Sequence, residues 1–168
     1  LFLETFNTKI TPIEKITALI KSYGTWNDLH NIIPTPHSAI LFTSGSENKP
    51  KAVPLTHQNH LANLEGILDR VQLRQDDRFI GFLPPFHSFG LMANLLAPLC
   101  LGIPIVYHAN PNDGAIIAEL IKSYQITTLA STPTFLLGIL QFAGDSALDH
   151  LRCALIGAEK APEKLFSI

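Results

Sequence analysis

The stretch TSGSENKPK, Thr43 to Lys51, places three hydroxyls (Thr43, Ser44 and Ser46), Gly45 and two lysines (Lys49 and Lys51) within nine residues. Successive backbone N–H groups in such a turn form an anion-binding concavity, hydroxyls add donors, and lysine adds a compact positive charge. A triphosphate needs that set of groups. The order from Gly45 is G-x-x-x-x-P-K, without the second glycine and the hydroxyl after lysine that mark the common P-loop. By composition alone, a phosphate cradle and a solvated polar turn explain the stretch equally well.

Other chemistry-bearing residues are sparser. His57 and His60 lie three apart on an expected helix, but no cysteine or carboxylate cluster completes a metal set, so zinc is not expected. Asp76 and Asp77 read as a solvated turn, and Asp28 and His30 sit in a connector without an identifiable partner. Taken singly, His87 reads as a structural histidine and Gly157 as a strand-ending turn. Cys100 and Cys153 have apolar neighbours and read as small buried hydrophobes, which suits a reducing cytoplasm better than a disulfide framework. Apolar residues make up 46% of the chain, which excludes disorder, and the net charge of −2 gives no footprint for nucleic acid. Gly90 to Ala109 is uncharged and long enough to span a bilayer. Pro98, Gly102 and Pro104 interrupt it, so a helix followed by a buried strand is the better reading.

Such groups need elements to position them, and the chain supplies a repeating order of these. An opening helix is signalled by Thr11, Pro12 and Glu14, at the N-cap, first and third positions of a capping box, and by Gly24 after its last turn. Ile13, Ile16, Ile20 and Tyr23 form its apolar stripe. Trp26 to His37 has two prolines and no periodicity and reads as a connector. Ala39 to Thr43 reads as a strand, followed by a polar loop to about Thr56. Thr56 is placed to cap a helix whose apolar face is Leu61, Leu64, Leu68 and Val71. Strands then fall at Phe79–Leu83, Ile103–Tyr107, Ile126–Ala130 and Cys153–Ile156, with helices at Ser88–Leu101, Gly114–Tyr124 and Pro133–Phe142. This alternation predicts an α/β fold with a mainly parallel β-sheet and crossover helices. Ligands of such sheets bind at the carboxyl ends of strands, which singles out the loops after Phe42, Leu83, Ala130 and Ile156.

The segment ILFTSGSENKPKAV resembles the signature TSG-S/T-T/E-G-x-P-K-G of the adenylate-forming enzymes. That family includes acyl-CoA and acyl-carrier-protein synthetases, luciferases and the adenylation domains of peptide synthetases. Asn48 and Ala52 stand where the signature has glycines. Asparagine tolerates a positive φ, whereas Ala52 requires a negative one. Two further segments follow in the family's order. FLPPFHSFG, Phe82 to Gly90, is similar to the family's proline–aromatic–histidine motif, and LIGAEKAPEKL resembles its later strand-loop. The resemblance runs from roughly Ser38 to Ser167 and is strongest to bacterial acyl-carrier-protein synthetases, including those fused to a 2-acylglycerophosphoethanolamine acyltransferase.

The resemblance implies an incomplete N-terminal subdomain of an adenylate-forming enzyme, with residues 1–37 as leading helix and connector and 38–168 as a partial AMP-binding domain. It assigns the ATP phosphates to Thr43, Ser44, Gly45, Ser46, Glu47, Asn48, Lys49, Pro50 and Lys51. Adenine falls to Gly157, Ala158, Glu159 and Lys160, and the acyl and thiol passage to Phe86, His87 and Gly90. It implies no complete catalytic set and no metal ligand in this span, with ATP and Mg²⁺ used by the full-length parent. In the family's reaction a carboxylate attacks the α-phosphorus of ATP, giving acyl-adenylate and pyrophosphate, and a thiol then takes the acyl group. Peptide-synthetase domains usually lack the proline–aromatic–histidine segment, so a fatty acid is expected over an amino acid, with acyl carrier protein or CoA as acceptor. The expected location is cytoplasmic, with any inner-membrane attachment supplied by parts outside these residues. Leu1 and the barely begun helix at the end lead us to expect a piece of a longer ligase, inactive alone. The competing expectation, motivated by Asn48 and Ala52, is a non-catalytic nucleotide-binding or interaction module.

Overall fold

The computed structural model describes residues 10–24, 33, 35–43, 50–144, 146–163 and 165. The chain divides into two compact units, Leu1–Pro36 and His37–Ile168. In the first, helix α1 (Pro12–Ser22) begins with the expected capping box. The Thr11 hydroxyl accepts from the Glu14 N–H at 3.3 Å, and the Glu14 carboxylate accepts from the Thr11 N–H at 2.7 Å. Donors that a helix start leaves without partners are thereby satisfied. No residue of α1 is buried, so its apolar stripe is present but open.

The second unit opens with an antiparallel hairpin of β1 (His37–Thr43) and β2 (Lys51–Thr56). β2 corrects the expectation of a polar loop up to Thr56. Its sequence, KAVPLT, carries Pro54, which cannot donate to a ladder and argues against a central strand. In a two-stranded sheet both strands are edges, so Pro54 opposite Ile40 is tolerated. Thr56 then caps α2 (His57–Leu68), accepting from the Asn59 N–H at 3.1 Å. The inward face of α2 is rotated by about one residue from the expected one. Leu64 is buried and His60, Ile67 and Val71 are half-buried, whereas Leu61 and Leu68 are exposed.

After β3 (Phe79–Gly81), the expected helix over 88–101 is three pieces: α3 (Ser88–Gly90), a π-helical segment (Leu91–Leu96) and α4 (Ala97–Leu101). Pro98 supplies a reason, since it has no N–H for the carbonyl of Asn94 four residues back. The Tyr107 hydroxyl donates to that carbonyl instead, at 2.8 Å. Gly102 ends the segment at φ 66°, a left-handed conformation that glycine adopts without strain. Among the described residues no helix is long and apolar enough to cross a membrane.

The main sheet has four parallel strands in the order β4 (Ile105–Tyr107), β3, β5 (Thr128–Ser131), β6 (Cys153–Ile156). Helices α5 (Gly114–Ser123) and α6 (Pro133–Leu140) are crossovers, so the α/β expectation holds, with the hairpin as a separate antiparallel sheet. The central strands β3 and β5 are buried at every residue, including Thr128 and Ser131, and the edge strands are not. Ile80 and Leu129 of the sheet, Ile117 and Ile121 of α5 and Ile139 of α6 form the centre of the core.

Two further expectations are corrected. Asp77 is not in a solvated turn but is 2% exposed at the amino-terminal end of the sheet. It accepts from the Thr127 hydroxyl and the Arg74 N–H, both at 2.7 Å, and from the Arg152 guanidinium at 2.5 Å. Burial alone raises its carboxyl, but the Thr127, Arg74 and Arg152 donors outweigh that and hold it below its ordinary value. Cys100 is exposed and Cys153 half-buried, so neither is the buried hydrophobe expected.

Candidate functional site

Parallel strands bring the loops after Gly81, Tyr107, Ser131 and Ile156 to one edge of the sheet. Two of these loops carry the second and third motifs, and the fold brings them together. A Cβ on Gly157 would stand 3.4 Å from Cζ of Phe89. The Gly157 N–H donates to the Ser131 carbonyl at 3.1 Å, extending the sheet contact. The Thr134 hydroxyl, in the first turn of α6, donates to Glu159 at 2.7 Å and ties the loop after β6 to that helix. Ala158 has φ 68°, a left-handed backbone that costs an L-residue about 1–2 kcal/mol. Strain of this kind collects where a loop must present its backbone to a ligand.

A cavity of about 710 Å³ adjoins these loops, within the range of roughly 300–1,000 Å³ that takes small organic ligands. Ser88, Phe89, Leu91 and Met92 line it from the helical segment, and Ile156 and Ala158 from the loop after β6. Helix α2 contributes Asn59, His60, Asn63 and Ile67. The walls are apolar apart from the Asn59, His60, Asn63 and Ser88 side chains. His60 Nε2 is buried without a hydrogen-bond partner among the described residues. Among the described residues no three His, Cys, Asp or Glu side chains gather so as to hold a metal ion.

The motif residues themselves are placed less uniformly. Phe86 and His87 are exposed, with ring centroids 4.7 Å apart and planes tilted by 53°. They stand beside Ser88 and Phe89 in sequence but do not line the cavity. Gly90 is buried for a steric reason: a Cβ there would lie 2.2 Å from the Pro84 carbonyl oxygen. Glu159 and Lys160 are exposed at the loop after β6. Thr43 and Lys51 face each other across the hairpin, and both, with Pro50, are exposed. Ser44, Gly45, Ser46, Glu47, Asn48 and Lys49 lie outside the described residues. Ala52 sits in β2 without a positive φ, so alanine there carries no left-handed strain. Sequence reasoning expected the apolar stretch around Phe86 to Leu96 to line an acyl passage, which covers Ser88, Phe89 and Met92, but it missed Asn59, His60 and Asn63 as lining residues. The available signal was the helical spacing of 59, 60, 63 and 67, which reads as a face only once α2 is known to lie over a cavity.

The pattern of the AMP-binding enzyme family matches residues 12–167. The chain is 32% identical to the acyl-CoA ligase SID4 of Ajellomyces capsulatus, over 89% of this chain and 28% of that protein. It is 30% identical to the 2-succinylbenzoate–CoA ligase of Bacillus velezensis, over 74% of this chain and 25% of that protein. In structure it is similar to the o-succinylbenzoate coenzyme A synthetase of Bacillus subtilis in complex with AMP. That likeness has a TM-score of 0.66 and 26% identity over 76% of this chain and 32% of the other. ATP-bound MatB of Rhodopseudomonas palustris gives a TM-score of 0.65 with 27% identity, over 76% of this chain and 25% of that one. The chain therefore spans between a quarter and a third of the length of these relatives. With almost every residue inside the family pattern, and the α/β frame and motif order in agreement, the chain belongs to the AMP-binding enzyme family.

Proposed function

We propose that this chain forms the nucleotide- and acid-binding part of an AMP-forming acid–CoA ligase. The observation that carries the reading is the composition of the cavity wall. Ser88 and Phe89, next to His87, and Ile156 and Ala158, at the loop assigned to adenine, line the same space. An acid lying there ends beside the bound nucleotide. In this reading Gly157, Ala158, Glu159 and Lys160 frame adenine, and the hairpin loop from Thr43 to Lys51 holds the phosphates. The Thr43–Lys51 pairing is the last of the hairpin ladder before that loop. Donors aimed at a phosphate where charge develops are worth about 3–4 kcal/mol each. The acid's carboxylate attacks the α-phosphorus of ATP, forming acyl-adenylate and expelling pyrophosphate. The thiol sulfur then attacks the acyl carbon and AMP leaves. Phe86, His87 and Gly90 shape the approach of acid and thiol. Mg²⁺ neutralises phosphate charge in such chemistry; among the described residues no three His, Cys, Asp or Glu side chains gather to hold a metal ion, and none of the steps assigned to them uses it.

Apolar walls suit an acid with an apolar body, and a fatty acid is the substrate we favour. CoA as acceptor is supported by the relatives, which are CoA ligases. An acyl carrier protein remains the second acceptor on the wording of LPPFHSFG and GAEK. The non-catalytic alternative loses part of its motivation, because Ala52 is unstrained. ATP–pyrophosphate exchange by the intact protein, run against fatty, aryl and amino acids, tests the reading. Exchange with fatty acids followed by transfer to CoA is expected. Exchange with amino acids alone overturns the substrate, transfer only to a carrier protein overturns the acceptor, and ATP binding without any exchange overturns the enzyme.

A further inference from the structure

Asn94 is 2% exposed, in a π-helical segment whose neighbouring Met92, Ala93 and Ala97 are also buried. A buried amide is costly unless its groups are satisfied. With its oxygen turned toward the strand, the Asn94 side chain accepts from the Leu83 N–H at 2.8 Å and the Phe82 N–H at 3.0 Å. Those two residues follow the last residue of β3, Gly81, and both are buried. Their N–H groups have left the strand ladder and need an acceptor. The next two residues, Pro84 and Pro85, have no N–H at all, so Phe82 and Leu83 are the last backbone donors before Phe86. Downstream, the His87 N–H donates to the Pro84 carbonyl at 3.2 Å, and the Leu91 N–H to the His87 carbonyl at 2.8 Å. The Asn94 carbonyl, left without an α-helical donor by Pro98, receives the Tyr107 hydroxyl at 2.8 Å. One residue thus joins the exit of β3, the end of β4 and the helical segment that lines the cavity.

We infer that Asn94 is a positioning residue: its amide clamps the backbone of Phe82 and Leu83 and so sets where the Pro84–His87 segment stands over the acid cavity. This rests on the reading that the segment borders the passage of acid and thiol. The π register is what aims the clamp, because it turns Asn94 toward the strand while Leu91 and Met92 face the cavity. Asn94 touches no reacting atom, so its effect passes through His87 and its neighbours.

The test compares Asn94→Leu, alike in branched shape but without an acceptor, with Ile139→Ala, a core change remote from the segment, in the intact protein. Hydrogen exchange at the Phe82 and Leu83 amides should quicken by about tenfold or more in Asn94→Leu, reflecting one lost bond, and not in Ile139→Ala. The KM for the acid, or kcat for acyl transfer, should worsen about tenfold in Asn94→Leu with the KM for ATP unchanged. Ile139→Ala should lose thermal stability without that kinetic split. Unchanged exchange in Asn94→Leu, or identical kinetics in the two variants, overturns the inference. If Asn94→Leu does not fold, Tyr107→Phe takes its place, with about a two- to fivefold shift in the same acid parameter expected and no shift overturning the inference. His87→Ala separates the two levels: if it leaves acid kinetics untouched while Asn94→Leu still quickens amide exchange, the passage reading falls and the clamp stands.

Discussion

Gly90→Ala sets two physical effects against each other. Gly90 has helical torsions, φ −64° and ψ −41°, and alanine is favoured over glycine inside a helix by about 1 kcal/mol. Local propensity therefore expects stabilisation. A Cβ at this position, however, lies 2.2 Å from the Pro84 carbonyl oxygen and 3.0 Å from that of Leu83. Both contacts are to backbone, so no side chain can swing aside. Cβ atoms essentially never come within 3.0 Å of such a neighbour, so α3 and the Pro84 turn must part by about 0.8 Å. Overpacking of this kind costs about 1–3 kcal/mol, and more where backbone must move. The clash wins, with a net loss of roughly 1–2 kcal/mol. For a domain of about 150–250 residues that lowers Tm by roughly 2–8 °C. The displacement falls on the segment carrying Phe86 and His87, where a misplacement of about 1 Å lowers turnover by up to about 100-fold. Calorimetry and initial rates of acyl-CoA formation on the intact protein measure both effects. An alanine variant that melts at or above the wild-type temperature and turns over normally would refute the close approach.

Asp77→Ala leaves three donors without their acceptor, and breaking a buried pair costs about 3–5 kcal/mol. The Arg152 side chain is 28% exposed and rehydrates, so a loss of about 2–3 kcal/mol is expected. Because the folded Asp77 carboxyl is held below its ordinary 3.8, its contribution is present above that value and fades as pH falls through the folded one. Denaturant midpoints should therefore differ most at neutral pH and converge in acid, and a gap that does not change with pH contradicts the network. Lys51→Ala should raise the KM for ATP or lower turnover by about 1–3 kcal/mol of transition-state binding, and unchanged ATP kinetics removes Lys51 from the mechanism. His60→Leu removes a buried nitrogen without a partner among the described residues and should stabilise the protein by about 1 kcal/mol in urea denaturation. A less stable leucine variant would show that the ring makes a bond the structure lacks.

What the sequence by itself determined rests on neighbours within a few positions. Thr11 and Glu14 make one helix start, Thr56 makes another, and Gly102 stops the segment after Pro98. The alternation of apolar runs with helical stripes was enough for the parallel sheet, and the order of the three motifs was enough for the family. Ser44 to Lys49 lie outside the described residues, so the phosphate assignment of those positions still rests on their motif. Tertiary structure alone decided the rest. Pro54 excludes a strand unless the strand is an edge, and only the pairing of Lys51–Thr56 with β1 makes it one. Leu61 and Leu64 look alike in sequence, yet the packing of α2 buries the second and puts His60 at the cavity instead. Asp77 reads as solvated until Arg152, 75 residues later, closes on it, and the carbonyl freed by Pro98 finds its donor in Tyr107, 13 residues from Asn94. Propensity and periodicity add up contributions along a few turns of chain. Burial, strand partnership and the satisfaction of a buried polar group are set by whichever distant residue the fold brings alongside.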